Sequence, residues 1–385
     1  MKYRENPKNS DSISALSFGY MRINKNDAKN EEMLRFAVEQ GVNYIDTAYI
    51  YPGNEATLGR LLERTGLRDK VKIATKLPTY LVGKPADAER IFNVSLERLR
   101  TGFVDYYMIH MLTGVNDWER LKSLGILEWI VEKKKSGKIK NFGFSYHGGT
   151  DAFVALIDAF DWDFCMIQYN YVDEHTQAGR RGLEYAAGKG VPVVIMEPLR
   201  GGTLANVKRL PSGVMDIFNK YPVKRHPAEW ALRWLWNQPG ILTVLSGMKD
   251  MQNLRDNIRA AEESEPGMLN EKEFEVYNRV IDVFRKQTSV PCTSCGYCMP
   301  CPRGVDIPQC FDLYNQRALG SYQALGFYII RTHGTNASLC SDCGKCEPLC
   351  PQGIEVRKEL RGVRKRMEGF WYRPIRFAAK KFMKR

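Results

Sequence analysis

Nine of the ten cysteines fall between Cys292 and Cys350, and their spacing restricts what the last quarter of this 385-residue chain can become. The first group reads Cys292-x2-Cys295-x2-Cys298-x2-Cys301-Pro302, and the second reads Cys340-x2-Cys343-x2-Cys346-x3-Cys350-Pro351. The N-terminus, MKYRENPKNS, lacks the apolar segment of a secretory signal. Gaps this short in such a chain point to metal rather than to disulfides. Thiolates at i, i+3 and i+6 let one tight loop hold three corners of an iron–sulfur cubane, and the fourth ligand then comes from elsewhere. Zinc is the alternative, because Cys-x2-Cys pairs also build ribbons, but it leaves the third cysteine and the Cys-Pro unexplained. Cys165 stands alone in the first 291 residues, inside an apolar run, and reads as a core thiol.

The doubled motif resembles that of two-cluster bacterial ferredoxins. The resemblance implies two [4Fe–4S] clusters, one on Cys292, Cys295, Cys298 and Cys350, the other on Cys340, Cys343, Cys346 and Cys301. Gly296 and Gly344 follow the second cysteine of each motif, where freedom in φ helps backbone N–H groups turn toward cluster sulfurs. The first motif has two residues before its Cys-Pro where the bacterial pattern has three. Cys310 therefore stands beside Cys301 as a candidate for that ligand.

Upstream, from residue 13 to about 260, short β-type runs alternate with amphipathic helical segments. The strand candidates are Ala15–Gly19, Val42–Asp46, Val71–Thr75, Asp105–Ile109, Ile139–Gly143, Phe164–Gln168, Pro192–Met196 and Ile241–Leu245. Most are continuously apolar, as strands covered on both faces should be. Asn54 is expected to cap one helix, Asp151 to start another, and Pro227 to sit in the first turn of a third. Eight strand–helix units predict a (β/α)8 TIM barrel; a doubly wound sheet is the alternative, but no GxGxxG follows any strand. The expected domains are a barrel at 1–285, a mainly helical ferredoxin-like iron–sulfur domain at 286–356, and a basic tail at 357–385. Helices are expected at Asp312–Leu319 and Ser321–Arg331.

Chemistry on such a barrel sits at the C-terminal strand ends, which here carry Asp46, Lys76, His110, Ser145, Gln168, Glu197 and Ser246. The segment Val42-Asn-Tyr-Ile-Asp-Thr-Ala-Tyr-Ile-Tyr51, with Gly-Asn-Glu-Ala-Thr-Leu-Gly beyond it, resembles the aldo-keto reductase signature, as do KIATKLP and DYYMIHM. The resemblance implies a catalytic tetrad of Asp46, Tyr51, Lys76 and His110. Tyr51 would protonate the developing alkoxide, Lys76 would lower its pKa, Asp46 would hold Lys76, and His110 would orient the carbonyl. It also implies nicotinamide contacts at Ser145, Gln168 and Met196. Phosphate contacts would come from Gly201, Gly202, Gly247, Lys249, Asn253 and Asn257. Tyr146 stands where the family usually has Asn, and Met196 is not aromatic.

NADP(H) is the cofactor the resemblance favours. Hydride carries two electrons and each cluster one, so FMN in the barrel is the second version, and a non-catalytic electron-transfer protein the third. A small carbonyl compound is the expected substrate. No apolar run approaches the roughly 20 residues of a membrane span, and the expected location is the cytoplasm. Of the net charge of +13, most lies in the last 29 residues, with 12 Lys or Arg against Glu359 and Glu368. That tail, with Phe370, Trp371, Tyr372, Phe377 and Phe382, is a solvated end or a docking segment. An acidic carrier such as ferredoxin or flavodoxin is the preferred partner; an anionic membrane surface rests on charge alone, and nucleic acid is not expected.

Overall fold

In the computed structural model the eight apolar runs close into one parallel barrel, each strand lying between two others and followed by a helix or helical turn that covers its outer face. The structure describes residues 1–372 except Arg22, Asn24, Lys25, residues 293–295, Tyr297, Gly320, Tyr322, Pro351, Gln352 and Trp371. A hairpin of β1 (Tyr3–Glu5) and β2 (Ser12–Ser14) precedes the barrel. The staves are β3 (Leu16–Gly19), β4 (Tyr44–Asp46), β5 (Lys72–Pro78) and β6 (Val104–Leu112), then β7 (Ile139–Tyr146), β8 (Phe164–Gln168), β9 (Val193–Met196) and β10 (Ile241–Ser246). β10 pairs with both β9 and β3, so the sheet has no edge and the doubly wound alternative falls.

Side chains fill the interior. Tyr44, Tyr106, Phe164, Met166 and Leu242 pack there, with Tyr106 edge-on to both Tyr44 and Phe164 at 5.0 Å. The hairpin was not legible in the sequence, because its strands are three residues long and polar contacts tie it to the barrel. Asp11 accepts from the Tyr106 hydroxyl at 2.9 Å and pairs with Lys72 at 2.8 Å, while Asn6 Nδ2 donates to the same hydroxyl at 3.2 Å. These contacts lie at the N-terminal ends of β5 and β6, away from the polar strand ends.

Asn54 is not a cap. It is the first residue of helix Asn54–Thr65, preceded by Gly53 in the left-handed region at φ 75°. Its Nδ2 donates to the carbonyls of Tyr20 and Met21, both at 2.8 Å, fixing the turn after β3 against this helix. Gly59 then lets the helix approach Pro85–Leu99 closely, since a Cβ there would overlap the Arg98 carbonyl oxygen. Helices start at Thr150 and Pro227, beside Asp151 and at the proline.

The chain divides into two compact units, Met1–Leu199 with Ala228–Asn270, and Arg200–Pro227 with Glu271–Arg385. In the second unit, helices Ile307–Ala318, Gln323–Arg331 and Val356–Met367 bury Phe311, Leu313, Tyr328, Leu360, Val363 and Met367 in one core. The first of these starts earlier than expected because Asp306 caps it, accepting from the Gln309 amide at 3.1 Å, with Pro308 in the first turn. The two halves repeat. Cys301-Pro-Arg-Gly-Val-Asp-Ile307 and Cys350-Pro-Gln-Gly-Ile-Glu-Val356 each run into a helix. Gly304 and Gly353, at φ 73° and 62°, donate back to the carbonyls of Cys301 and Cys350 at 2.9 and 3.1 Å. The start of the expected tail is thus a helix with a buried apolar face, and Tyr372 is buried while Phe370 is exposed. Trp371, Phe377 and Phe382 lie outside the described residues. Among these no helix is long and apolar enough to cross a membrane.

Overpacking a close helix crossing costs about 1–3 kcal/mol. Gly59→Ala should therefore destabilise the barrel by about that much in urea unfolding, despite alanine's better helix propensity. Unchanged stability would show that the two helices part without cost.

Candidate functional site

At the C-terminal mouth of the barrel the structure brings Asp46, Tyr51, Lys76 and His110 together. Asp46 ends β4, and Lys76, on the adjacent β5, places its Nζ 2.6 Å from Asp46 Oδ1 and 2.6 Å from the Thr47 carbonyl. Both side chains are buried. The ammonium also lies 5.1 Å from the centroid of the Tyr51 ring, and that ring stands edge-on to His110 at 6.2 Å. Tyr49 is used otherwise: Arg98 stacks over its ring at 4.7 Å and bonds its carbonyl and Glu55, each at 3.2 Å. Glu55 accepts from Thr75 at 2.6 Å, which pins the 47–53 loop to β5.

Burial opposes charge on Lys76, but Asp46 and then Tyr51 outweigh it and hold the pKa above the usual lysine value. For Tyr51 burial wins. It raises the phenol above its ordinary value, and Lys76 pulls that back without reversing it. The expected lowering by Lys76 is present as one contribution, but not as the net effect. Burial, then Lys76 and then His147, hold the His110 imidazole well below its ordinary 6.5, so it is neutral near pH 7. Its Nδ1 is buried and has no hydrogen-bond partner among the described residues.

Met111, next after His110, adopts φ 65°, and its N–H donates to Ser145 Oγ at 2.9 Å. Ser145 thus accepts one bond and keeps its own proton to give. Tyr146 packs against Phe153, with its hydroxyl donating to the Gly149 carbonyl at 2.7 Å and lying 3.2 Å from that of Thr113. His147 is the residue that sequence reasoning missed. Its place two residues beyond Ser145 was the available signal, and its Nδ1 lies 3.2 Å from Gln177 Oε1. Gln168 ends β8 and is buried, and Met196 packs on the barrel interior. Glu197, at φ 54°, follows Met196, and its charge reaches Tyr51.

After β10, Asn257 Nδ2 donates to Ser246 Oγ at 3.1 Å, and Asn253 N–H donates to Asp250, the cap of helix Met251–Ala261, at 2.8 Å. Gly247 and Lys249 are exposed on the turn between them. Gly201 and Gly202, at φ 67° and 96°, belong to the second compact unit.

In that unit a cavity of about 250 Å³ is lined by Cys298, Cys301, Cys340, Cys343 and Cys346, with Ile307 and Leu360 behind them. Cys310 is not among these thiols. It is buried in the helical core, with Sγ 3.8 Å from the Tyr328 hydroxyl and 3.8 Å from the Thr335 carbonyl, and burial pushes its thiol pKa up. Among the described residues no three Cys, His, Asp or Glu groups converge on a single-ion position. Cys292 and Cys350 are half-buried against the same core, and Cys295 lies outside the described residues.

A family model described as the aldo/keto reductase family matches residues 15–272, and one described as a 4Fe-4S dicluster domain matches residues 291–355. Protein tas of Escherichia coli is 25% identical over 323 residues, 68% of this chain and 93% of its own length. A 9,11-endoperoxide prostaglandin H2 reductase of Trypanosoma cruzi is 29% identical over 61% of this chain and 78% of its own length. Among solved structures, the holo form of a Bacillus halodurans aldo-keto reductase superposes with a TM-score of 0.62 at 25% identity, covering 73% of this chain and 96% of that one. A Klebsiella pneumoniae aldo-keto reductase in complex with NADPH gives 0.60 at 22% identity, over 73% and 95%, and supports the fold alone.

A depressed histidine pKa stabilises the fold fully above the unfolded value near 6.5, and that stability is lost as pH falls below it. Wild type should therefore lose up to about 1.4 kcal/mol per pH unit more than His110→Asn between about pH 6.5 and 5, read by urea unfolding at stepped pH. Parallel curves would exclude a buried neutral imidazole.

Proposed function

Because the chain belongs to the aldo/keto reductase family, an oxidoreductase family, and carries a 4Fe-4S dicluster domain, we propose that its barrel reduces a small carbonyl compound with NADP(H) while its cysteine unit exchanges single electrons with a separate carrier. The observation that carries the first half is the Lys76 ammonium, buried between Asp46 and Tyr51 beside a neutral His110. NADP(H) supplies the hydride when bound. The carbonyl carbon gains hydride, its oxygen gains a proton, and an alcohol and NADP+ leave.

The protein's task is the oxygen. Tyr51 donates the proton as negative charge develops there, and Lys76 stabilises the phenolate that remains. Asp46 keeps Lys76 charged and in place. His110, being neutral, offers a hydrogen bond to the substrate oxygen without competing for the proton. Ser145 and Gln168 hold the nicotinamide amide, with Met196 against the ring. Gly247, Lys249, Asn253 and Asn257 serve the phosphate end. In the second unit, Cys301, Cys340, Cys343 and Cys346 hold one [4Fe–4S] cluster, and Cys292, Cys295, Cys298 and Cys350 the other. A cavity ringed by several thiols suits a cubane better than a lone ion.

Protein purified without oxygen should carry about eight iron and as much sulfide per chain, with no zinc. It should release no flavin on denaturation; yellow supernatant would overturn the choice of NADP(H). Tyr51→Phe should cut turnover of small aldehydes by about 10²–10⁴-fold while NADPH binding, followed by fluorescence, is unchanged. Equal turnover would remove Tyr51 as the acid. Cys301→Ser should lose about half of the iron, and Cys310→Ser should keep it all. The reverse result would exchange the two cysteines' roles.

A further inference from the structure

The opening of the cysteine cavity shows how it meets the outside. Cys343 is the exposed thiol among the described cysteines, and Leu349, on the same rim, is 56% exposed. Two exposed cations, Arg303 and Lys345, line the cavity and form no ion pair among the described residues. The acids nearby are already matched: Glu347 pairs with Arg357 at 2.7 Å, and Asp342 with Arg361 at 2.7 Å. Arg364 and Lys365 continue the same helix stripe one turn on. A small apolar centre beside a surplus of positive charge, directly over a set of thiols, is how a short-lived electron-transfer contact is built.

We infer that this rim is the docking surface for a small acidic one-electron carrier protein, with Arg303 and Lys345 setting its affinity. The inference rests on the reading that the thiols beneath it hold a cluster. A membrane surface fits less well. The apolar side of helix Val356–Met367, which would have to enter lipid, is buried in the core through Val356, Leu360, Val363 and Met367. Long-range attraction brings the carrier in, and the modest apolar contact lets it leave after one electron has passed.

The test uses the full, cluster-loaded chain without oxygen, titrated calorimetrically with oxidised flavodoxin and with an acidic two-cluster ferredoxin at low and high salt. Arg303→Glu combined with Lys345→Glu should weaken binding roughly tenfold or more at low salt and flatten its salt dependence. Lys29→Glu combined with Lys70→Glu, the same charge change on exposed barrel positions, should leave affinity near wild type. Iron, sulfide and low-temperature electron paramagnetic resonance are measured on every variant. Full clusters with unaltered carrier affinity in Arg303→Glu/Lys345→Glu would overturn the docking surface alone. Failure of loaded wild type to bind either carrier, or binding of phosphatidylserine vesicles through these two residues instead, would overturn it too. Wild type that contains no iron would sink the cluster reading beneath it.

Discussion

A lysine ammonium at the mouth of a protein barrel persists only if something answers its charge there. Taking it out of water costs several kcal/mol, and a lone cation in that position would shed its proton instead. Asp46 and the Thr47 carbonyl supply the answer, each 2.6 Å from Lys76 Nζ. Asp46, at the end of β4, pairs in register with Ala74 of β5, and the next residue, Thr47, donates its N–H to the Ala74 carbonyl at 2.9 Å. The charge is therefore held by the sheet itself rather than by a loop. The ring of Tyr51 lies beside that cation, and His110 stays uncharged first because it is buried and then because the cation is near.

Most of the barrel was legible because burial on both faces leaves an unmistakable mark. Runs such as Phe164–Gln168 need no alternation, and their polar last residues stand out against them. What escaped reading was held by polar or distant contacts. The β1–β2 hairpin depends on Asp11 meeting Tyr106 and Lys72, residues far away in sequence. Asn54 looked like a cap by type, yet its amide serves the turn after β3, a tertiary bond with no local signature. His147 was hidden because it lies one residue past the end of β7, where alternation no longer marks it as part of the strand. In the cysteine-rich unit spacing left two candidates, Cys301 and Cys310; burial and hydrogen bonding distinguish their surroundings, which no spacing rule reveals.

On the proposed reading the two compact units divide two kinds of electron chemistry. A hydride step needs a proton donor held in place, and here the loop after β4 holds Tyr51 beside the Lys76 ammonium. One-electron exchange needs thiols near the surface and little else from the protein. On the proposed reading each cluster takes its fourth cysteine from the other half of the internal repeat, so neither half completes a site alone. Folding of this unit and acquisition of iron would then be one process.

The left-handed turn at Met111 links two of the residues at the barrel mouth. A left-handed conformation at a residue other than glycine is held by its surroundings, and here the Ser145 hydroxyl receives the turned amide. Ser145 therefore holds the peptide that follows His110, and on the proposed reading the same hydroxyl also faces an incoming cofactor. On that reading, a ligand drawing on the serine would reach the imidazole next door through a single amide.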